Sequence, residues 1–397
     1  MLRMILALFL LASKITALTD LICDPKITES GTKICEFTLE VRQRETYTAI
    51  INKKTFPIQP TSDEKFEFRT NSMYTNSDLA YVAADIPFGA DITPNLTHVI
   101  LADGRINQLV TTINHDYIGP TIRVPENAWV AIKVVNLLEN QALTMHWHGM
   151  KQKGTWAYDG SASTQCPIMP KEEFTYRFKA EPAGSHLYHS HILGQERDGA
   201  FGAFIVERDD SYRPEPVFIS ELGPNGDFGG QTHSQLSVYN HGGSGNSNFH
   251  IATRIYKPDH QEISAGIMSV IMLNGVGINT DVPSNNSYFR LVAGKVYSFY
   301  NKGEDGFYEL SVDGHNIELL ETDGIRISTE NNVFQSIQLG QAERVTVKFW
   351  PRSEGDEKNS YIRVESVAIM VANATKWLDD KLHLGYHPTK LLELVFG

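Results

Sequence analysis

Two pairs of histidines, each with one residue between its members, are the most informative chemical feature of the sequence. His146 and His148 form the first pair, and His189 and His191 form the second. Side chains of a β-strand alternate between its two faces, so residues i and i+2 project to the same side. If each pair lies on a strand, it presents two imidazoles to one side. Two such pairs on neighbouring strands would bring four imidazoles together.

Four clustered imidazoles predict a metal site, because imidazole is a good ligand for copper, zinc, iron and nickel. The competing interpretation is that these are scattered surface or core histidines. The chain has 14 histidines among 397 residues. Two His-x-His pairs in strand-like surroundings, separated by about forty residues, disfavour that interpretation. His186 does not share the face of its neighbours by this spacing and is not included in the predicted site.

The surrounding sequence predicts an all-β protein. Short alternating or β-branched runs are separated by Gly, Pro, Asn and Asp, and long amphipathic helix patterns are missing. This spacing indicates sandwiches or barrels. The clearest predicted strands are 121–124, 129–135, 173–178, 297–300, 308–312 and 344–349.

The length of the chain allows two or three domains. A polar, proline-containing run at 209–216 interrupts the strands and predicts a boundary. We therefore expect a first domain at 33–208 and a second at 214–367. The polar, weakly patterned stretch 45–97 predicts an insertion that follows a first strand at 36–42.

The N-terminal residues 1–18 predict a secretory signal peptide. Arg3 precedes an apolar run at 4–12, and small or polar residues follow, with cleavage near Ala17. The apolar run is too short to cross a bilayer core of about 30 Å. The alternative is a buried N-terminal strand. No later stretch is long and apolar enough to predict a membrane helix.

Cysteines and glycosylation sequons agree with secretion. Cys23 and Cys35 lie close together after the signal peptide, and an oxidising compartment would let them pair. Cys166 is left over; it is either a buried free thiol or the partner of a segment outside this sequence. The asparagines in Asn-x-Ser/Thr sequons, which predict a glycoprotein, are Asn95, Asn285 and Asn373.

The charge of the chain argues against one class of partner. The formal net charge is -12, and the acidic residues are spread out rather than grouped. Nucleic-acid binding usually needs a basic face, so we do not expect a nucleic-acid partner.

A series of ordered blocks resembles the laccase-like multicopper oxidases. The blocks include Gly-Pro-Thr-Ile-Arg-Val at 119–124, His-Trp-His-Gly-Met at 146–150, Asp-Gly at 159–160, Thr-Gln-Cys-Pro-Ile at 164–168, 174–178, 183–191 and 198–206. Weaker blocks follow at 272–275, 310–315, 322–324 and 339–344. The resemblance covers about residues 98–367 and implies tandem cupredoxin-like Greek-key β-sandwiches.

The resemblance also implies a copper cofactor and a role for each histidine. His146 resembles the ligand of a type 2 copper, and His148, His189 and His191 resemble ligands of a type 3 copper pair. The second domain of this family usually binds no copper, so His315 is expected to be structural. A complete enzyme takes four further histidines, and the cysteine of a type 1 copper, from its last domain.

The sequence departs from the family pattern after His191. No further His-x-His pair follows, and none of the three cysteines lies in a His-Cys-His motif. We therefore expect half of a trinuclear copper site, no type 1 copper, and no activity of this chain alone. The tail 368–397 is expected to be a linker or the stub of a missing third domain. The chain would then be a truncated form, an incomplete gene model or a short protein.

Two functional hypotheses follow. The first is a secreted, extracellular laccase-like oxidoreductase, whose family couples one-electron oxidation of phenols, aromatic amines or metal ions to reduction of O₂ to water. Its partners would be copper ions, together with O₂ and a phenolic or metal-ion reductant if a third domain completes the site. The alternative is a non-catalytic secreted copper-binding or extracellular-matrix protein.

Overall fold

The computed structural model describes a defined part of the chain. The described residues are 18–24, 26–27, 33–60, 66–69, 92, 96–102, 108–161, 163–192, 194–208, 212–222, 254–256, 262–264, 270–277, 290–292, 294–303, 307–352, 360–367 and 389–395. Most of the predicted signal peptide and the three sequon asparagines, Asn95, Asn285 and Asn373, lie outside them.

The described residues consist of β-strands, loops and one 3₁₀ turn, Trp156–Tyr158. The all-β prediction is confirmed. No helix among these residues is long and apolar enough to cross a membrane. The strands up to residue 207 are β1 Asp20–Ile22, β2 Lys26–Ile27, β3 Lys33–Glu45, β4 Thr48–Ile51, β5 Lys54–Pro60, β6 Phe66–Phe68, β7 Thr97–Ile100, β8 Leu109–Ile113, β9 Gly119–Pro125, β10 Trp129–Asn136, β11 Met145–His148, β12 Glu173–Lys179, β13 Gly184–Ser190 and β14 Phe201–Glu207.

The remaining strands begin after residue 214. They are β15 Glu215–Leu222, β16 Arg254–Tyr256, β17 Glu262–Ser264, β18 Val270–Leu273, β19 Val276–Gly277, β20 Arg290–Val292, β21 Tyr297–Asn301, β22 Phe307–Val312, β23 His315–Thr322, β24 Ile325–Arg326, β25 Val333–Phe334, β26 Ser336–Leu339, β27 Arg344–Pro351, β28 Ser360–Val367 and β29 Thr389–Val395. All six of the predicted strands listed above are present, each extended by no more than two residues at either end.

Two sheets form the first sandwich. One has the strand order β1-β9-β14-β13-β11, and the other has the order β12-β10-β3-β2, with β8 also paired to β3. Alternate side chains from both sheets fill one core. At its centre the Trp147 ring contacts the rings of Tyr176, Phe178, Tyr188 and Phe204, with centroid distances of 5.2–5.8 Å.

A disulfide joins the two sheets of the first sandwich. Cys23 directly follows β1 at the edge of one sheet, and Cys35 lies on β3 in the other. The predicted pairing of these cysteines is confirmed. Cys166 is free and exposed, so it is not the buried thiol that one of our two alternatives expected.

Two further sheets form the second sandwich. Their strand orders are β19-β18-β15-β21-β27-β23-β24, with β25 also paired to β23, and β20-β29-β28-β22-β26. A second apolar core lies between them. The tail 368–397, which we expected to be a linker or stub, contributes β29, which pairs antiparallel with β28.

The stretch 45–97, predicted as an insertion, contributes three strands to a small separate sheet, which β7 completes from residue 97 onward. Strands β6-β5-β4-β7 pair in that order, and Phe56, Ile58 and Phe66 belong to a separate apolar cluster. The first strand is longer than the predicted 36–42, because its distal half pairs with β8.

A further apolar cluster, which we call the junction core, lies between the two sandwiches. Leu187 and Phe201 come from the first sandwich, and Phe218 and Tyr300 come from the second. The Phe218 and Tyr300 rings stack at 4.6 Å between centroids, and the Phe201 ring lies 5.2 Å from Phe218. Burial of these rings stabilises one arrangement of the two sandwiches.

Replacing Trp147 by alanine tests the first core. We expect Trp147→Ala to lower the free energy of unfolding by about 3–5 kcal/mol, because it removes a fully buried indole from a packed cluster. Trp156, whose side chain is 67% exposed, is the control, and Trp156→Ala should cost less than about 0.5 kcal/mol. Urea unfolding followed by circular dichroism measures both. Equal losses of unfolding free energy in the two variants would contradict the placement of Trp147 at the centre of the first core.

Candidate metal centre

The four predicted histidines are placed by one antiparallel strand pair. Strand β11 pairs with β13 so that His146 lies directly opposite His189. Met145 and Trp147 of β11 are fully buried, whereas His146 and His148 are only partly buried. The alternation therefore turns the indole into the first core and both imidazoles of β11 to the opposite face.

The imidazoles of all four histidines lie close together on that face. The His146 ring centroid is 5.7 Å from that of His148 and 5.4 Å from those of His189 and His191. His148 and His191 each lie within 6 Å of the His189 ring. Ring nitrogens of His146, His148 and His189 lie within 4.8 Å of one another. His191, which is exposed and follows the end of β13, is adjacent to this group of three but outside it.

Hydrogen bonds orient two of these rings. The Nδ1 atom of His146 donates to the backbone oxygen of Asp159 at 2.7 Å. The Nδ1 atom of His189 lies 2.6 Å from a carboxylate oxygen of Glu196 and 2.9 Å from the backbone oxygen of Ser190. Both partners accept hydrogen bonds, so Nδ1 carries the hydrogen in each ring. The Nε2 atom then keeps its lone pair for a ligand, which is the arrangement found in metal-binding histidines.

The surroundings of His146 and His148 disfavour the protonated form of these two imidazoles. Burial lowers the pKa of His148 to about 3, and the guanidinium of Arg344 and the neighbouring His189 act in the same direction. Burial is also the largest cause that lowers the pKa of His146. Metal ligation requires the neutral ring. His146 and His148 can therefore bind a cation at neutral pH without first losing a proton.

Three charged residues that support the site were not predicted. Glu196 contacts His189, and Lys302 of the second sandwich lies 2.6 Å from the same carboxylate oxygen of Glu196. Arg344, also of the second sandwich, lies near His148 and donates to the backbone oxygen of Ser185 at 3.3 Å. Lys302 and Arg344 contact residues more than one hundred positions away in the sequence, so no local pattern indicates those contacts. Glu196 lies seven residues after His189, in a loop whose sequence does not mark it as a partner of that ring.

The other histidines that the structure describes do not join the group of three ring nitrogens. His186 is buried, and its Nε2 atom lies 3.0 Å from the backbone oxygen of Pro182. His315, predicted to be structural, is buried with Nδ1 2.7 Å from the backbone oxygen of Asp313. The histidines outside the described residues are His233, His241, His250, His260, His383 and His387.

The chain is similar to known proteins both in sequence and in fold. A family model described as multicopper oxidase matches residues 97–211, and a second model with the same description matches residues 245–379. Together they match more than half of the chain.

The relatives in sequence include an L-ascorbate oxidase and a laccase. L-ascorbate oxidase of Cucumis sativus is 35% identical over 158 residues, which are 36% of this chain and 27% of the relative. Laccase of Arthroderma benhamiae is 26% identical over 270 residues, which are 65% of this chain and 37% of the relative. The chain thus spans between about a quarter and two fifths of the length of these relatives.

The fold has a similar counterpart among solved structures. The crystal structure of Fet3p, described as a multicopper oxidase that functions in iron import, superposes with a TM-score of 0.55 at 20% sequence identity. The match covers 91% of this chain and 52% of that one. This likeness confirms the predicted tandem cupredoxin-like sandwiches.

Gly160 allows the close approach that orients His146. Its φ is +84°, and a Cβ atom there would lie 1.8 Å from the backbone oxygen of Met145. We expect Gly160→Ala to displace β11 and to lower the free energy of unfolding by at least about 3 kcal/mol. Gly154 has a similar φ of +74° with open space around it, so Gly154→Ala should cost only about 1–2 kcal/mol of backbone strain. Urea unfolding measures the loss of free energy in both variants. Losses of similar size would contradict the special role of Gly160.

His186 makes the stability of the fold depend on pH. Burial, followed by the Arg344 charge, lowers the pKa of His186 to about 3, whereas an unfolded histidine titrates near about 6.5. Between these values the unfolded state binds more protons, so stability is present above pH 6.5 and is lost as the pH falls toward 3. In metal-free protein we expect His186→Gln to show a shallower decrease in unfolding free energy from pH 6.5 to 4. If the unfolding free energies of the wild-type protein and His186→Gln decrease equally steeply over this pH range, His186 is not the source of the pH dependence.

Proposed function

Because the chain belongs to the multicopper oxidase family, whose members bind copper, we propose that His146, His148, His189 and His191 are copper ligands. The protein is then the histidine-bearing part of a laccase-like oxidoreductase. Such an enzyme couples one-electron oxidation of phenols, aromatic amines or metal ions to reduction of O₂ to water. The convergence of three ring nitrogens within 4.8 Å of one another carries the proposal.

The donor set fits copper. Neutral imidazole is a ligand that copper binds well, and the Nε2 atoms of His146 and His189 are available because Nδ1 of each ring is engaged. The group of three contains no carboxylate, whereas calcium and magnesium prefer oxygen ligands. These properties favour a transition metal over the hard cations.

The chain's own residues hold and orient the imidazoles. Bound copper would supply the one-electron redox chemistry. The Asp159 backbone oxygen and the Glu196 carboxylate keep a hydrogen on Nδ1 of their histidines. The packed Trp147 indole fixes β11 from the opposite face. The positive charges of Arg344 and Lys302 oppose protonation of His148.

The ligand count supports a partial site. By resemblance, a complete trinuclear centre takes four histidines beyond these four, and a type 1 copper takes a cysteine between two histidines. No His-x-His pair follows His191 in this sequence. We propose that the complementary ligands come from a polypeptide segment outside these 397 residues, and that this chain alone is not an oxidase.

A non-catalytic copper-binding protein is the second candidate, and the cysteines favour it. Cys23 and Cys35 are joined in a disulfide, and Cys166 is exposed. None of the three is placed among the grouped histidines, whereas a blue-copper site needs a cysteine thiolate beside two histidines. The chain by itself would then bind copper without an entry point for electrons.

Secretion is part of both candidates. The Cys23–Cys35 disulfide agrees with an oxidising, extracellular compartment. The predicted signal peptide and the sequons support the same location, although most of that peptide and the sequon asparagines lie outside the described residues. Recovery of the protein from culture medium, with a first residue near Leu18, is the expected outcome of expression in a secreting cell.

Removal of two ligands tests the copper site. We expect His148→Ala combined with His191→Ala to weaken Cu²⁺ binding by more than about 100-fold, since loss of ligands should exceed the 10–100-fold effect of losing an outer partner. Titration against a competing chelator measures the affinity, and circular dichroism checks the fold. The control replaces His98 and His115 by glutamine, because these rings also lie 5.5 Å apart but outside the cluster.

Equal copper affinity in the double variant and its control would overturn the ligand assignment. The copper-loaded wild-type chain then tests the proposal that this chain alone is not an oxidase. Oxygen consumption with a phenol, together with an intense thiolate-to-copper absorption, would establish an oxidase in this chain alone. Copper binding without either signal would favour the non-catalytic protein or the need for a completing segment.

A further inference from the structure

Two ionic contacts connect the second sandwich to one of the candidate copper ligands. The ammonium of Lys302 lies 2.6 Å from Oε2 of Glu196, and the same oxygen lies 2.6 Å from Nδ1 of His189. The side chains of Lys302 and His189 are nearly buried, at 5% and 10% exposure, and that of Glu196 is 24% exposed. The contact therefore lies largely away from water, where charge–charge interactions are least screened.

One carboxylate oxygen of Glu196 is shared by two neighbours. The ammonium of Lys302 has only donors to offer, and its contact with Oε2 pairs the carboxylate with a positive charge. An ionised carboxylate can only accept hydrogen bonds. It therefore keeps the imidazole hydrogen on Nδ1 of His189.

Hydrogen bonds fix the backbone at Lys302. Its N–H donates to the backbone oxygen of Ile219 at 2.7 Å. The preceding Asn301 donates through Nδ2 to the backbone oxygen of Leu339 and accepts from the N–H of Gly303. These bonds fix the point from which the ammonium reaches across the junction to Glu196.

We propose that Glu196 and Lys302 are positioning residues. Through them, copper binding at His189 depends on how the second sandwich packs against the first. Glu196 fixes the ring so that Nε2 faces His146 and His148, and Lys302 fixes the carboxylate. A carboxylate that accepts from a ligating histidine commonly orients the ring and increases its basicity. The inference rests on the proposed copper site.

The alternative explanation is that the Glu196–Lys302 pair merely joins the sandwiches. Other contacts already do so: Arg208 pairs with Glu321, and the Ser185 hydroxyl lies 2.7 Å from that of Ser298. The junction core adds apolar contact. Loss of Lys302 should thus leave the sandwiches together and act on the metal site alone.

The test measures Cu²⁺ affinity and metal-free stability of the full chain in parallel. We expect Glu196→Gln to weaken Cu²⁺ binding about 10–100-fold, because the amide no longer acts as a charged acceptor. Lys302→Met should weaken binding by a smaller factor, and Lys302→Arg should restore it. The double variant should resemble Glu196→Gln alone, since Lys302 acts through Glu196. Copper electron paramagnetic resonance should show altered nitrogen coupling in Glu196→Gln.

An exposed pair of the second sandwich provides the matched control. Lys295 and Glu215 lie 3.0 Å apart with more than half of each side chain exposed, and Glu215→Gln with Lys295→Met should leave copper affinity unchanged. Unchanged affinity in Glu196→Gln with lowered metal-free stability would overturn the positioning role. Glutamine keeps the shape of glutamate, so Glu196→Gln remains decisive if Lys302→Met fails to fold. Absence of copper binding by the wild-type chain would instead refute the proposed site.

Discussion

The register of one antiparallel strand pair, β11 with β13, is the constraint on which the candidate copper site depends. His146 lies opposite His189 only in this register. A shift by one residue would exchange the two faces of β11, placing His146 and His148 in the core and the Trp147 indole on the metal face. The aromatic cluster around Trp147 makes that exchange costly. The same packing that stabilises the first sandwich therefore selects the face that can bind a metal.

The second sandwich contributes charge to a site whose four histidines all belong to the first. Lys302 and Arg344 approach from across the junction, and both disfavour a proton on His148. Buried cations beside a metal site would normally be unfavourable. Here Lys302 is paired with Glu196 and Arg344 with Asp323, at 2.6 and 2.8 Å. Each cation therefore has a carboxylate partner, and both cations still disfavour the protonated form of His148.

Local features of the sequence were sufficient to predict the strands and the grouping of the four histidines. Period-two alternation is a property of adjacent residues, so 129–135 and 344–349 could be assigned without a structure. The His-x-His spacing likewise places two rings on one face. The charged residues that support those rings could not be predicted in this way. Glu196 and Lys302 come together only because the two sandwiches pack against each other. The small sheet within 45–97 and strand β29 were missed for a related reason. Their strands are short or distant, and their pairing is decided by tertiary contacts.

The Cys23–Cys35 link has a consequence for self-association. Strand β1 has three residues and covers the edge of the sheet by pairing in parallel with β9. A strand this short has little pairing energy of its own, and the disulfide tethers it to the opposite sheet. Reduction would release β1 and leave the outer edge of Gly119–Pro125 with unsatisfied backbone groups, open to a strand of another molecule. In this protein the disulfide therefore protects against edge-to-edge aggregation as well as joining two sheets.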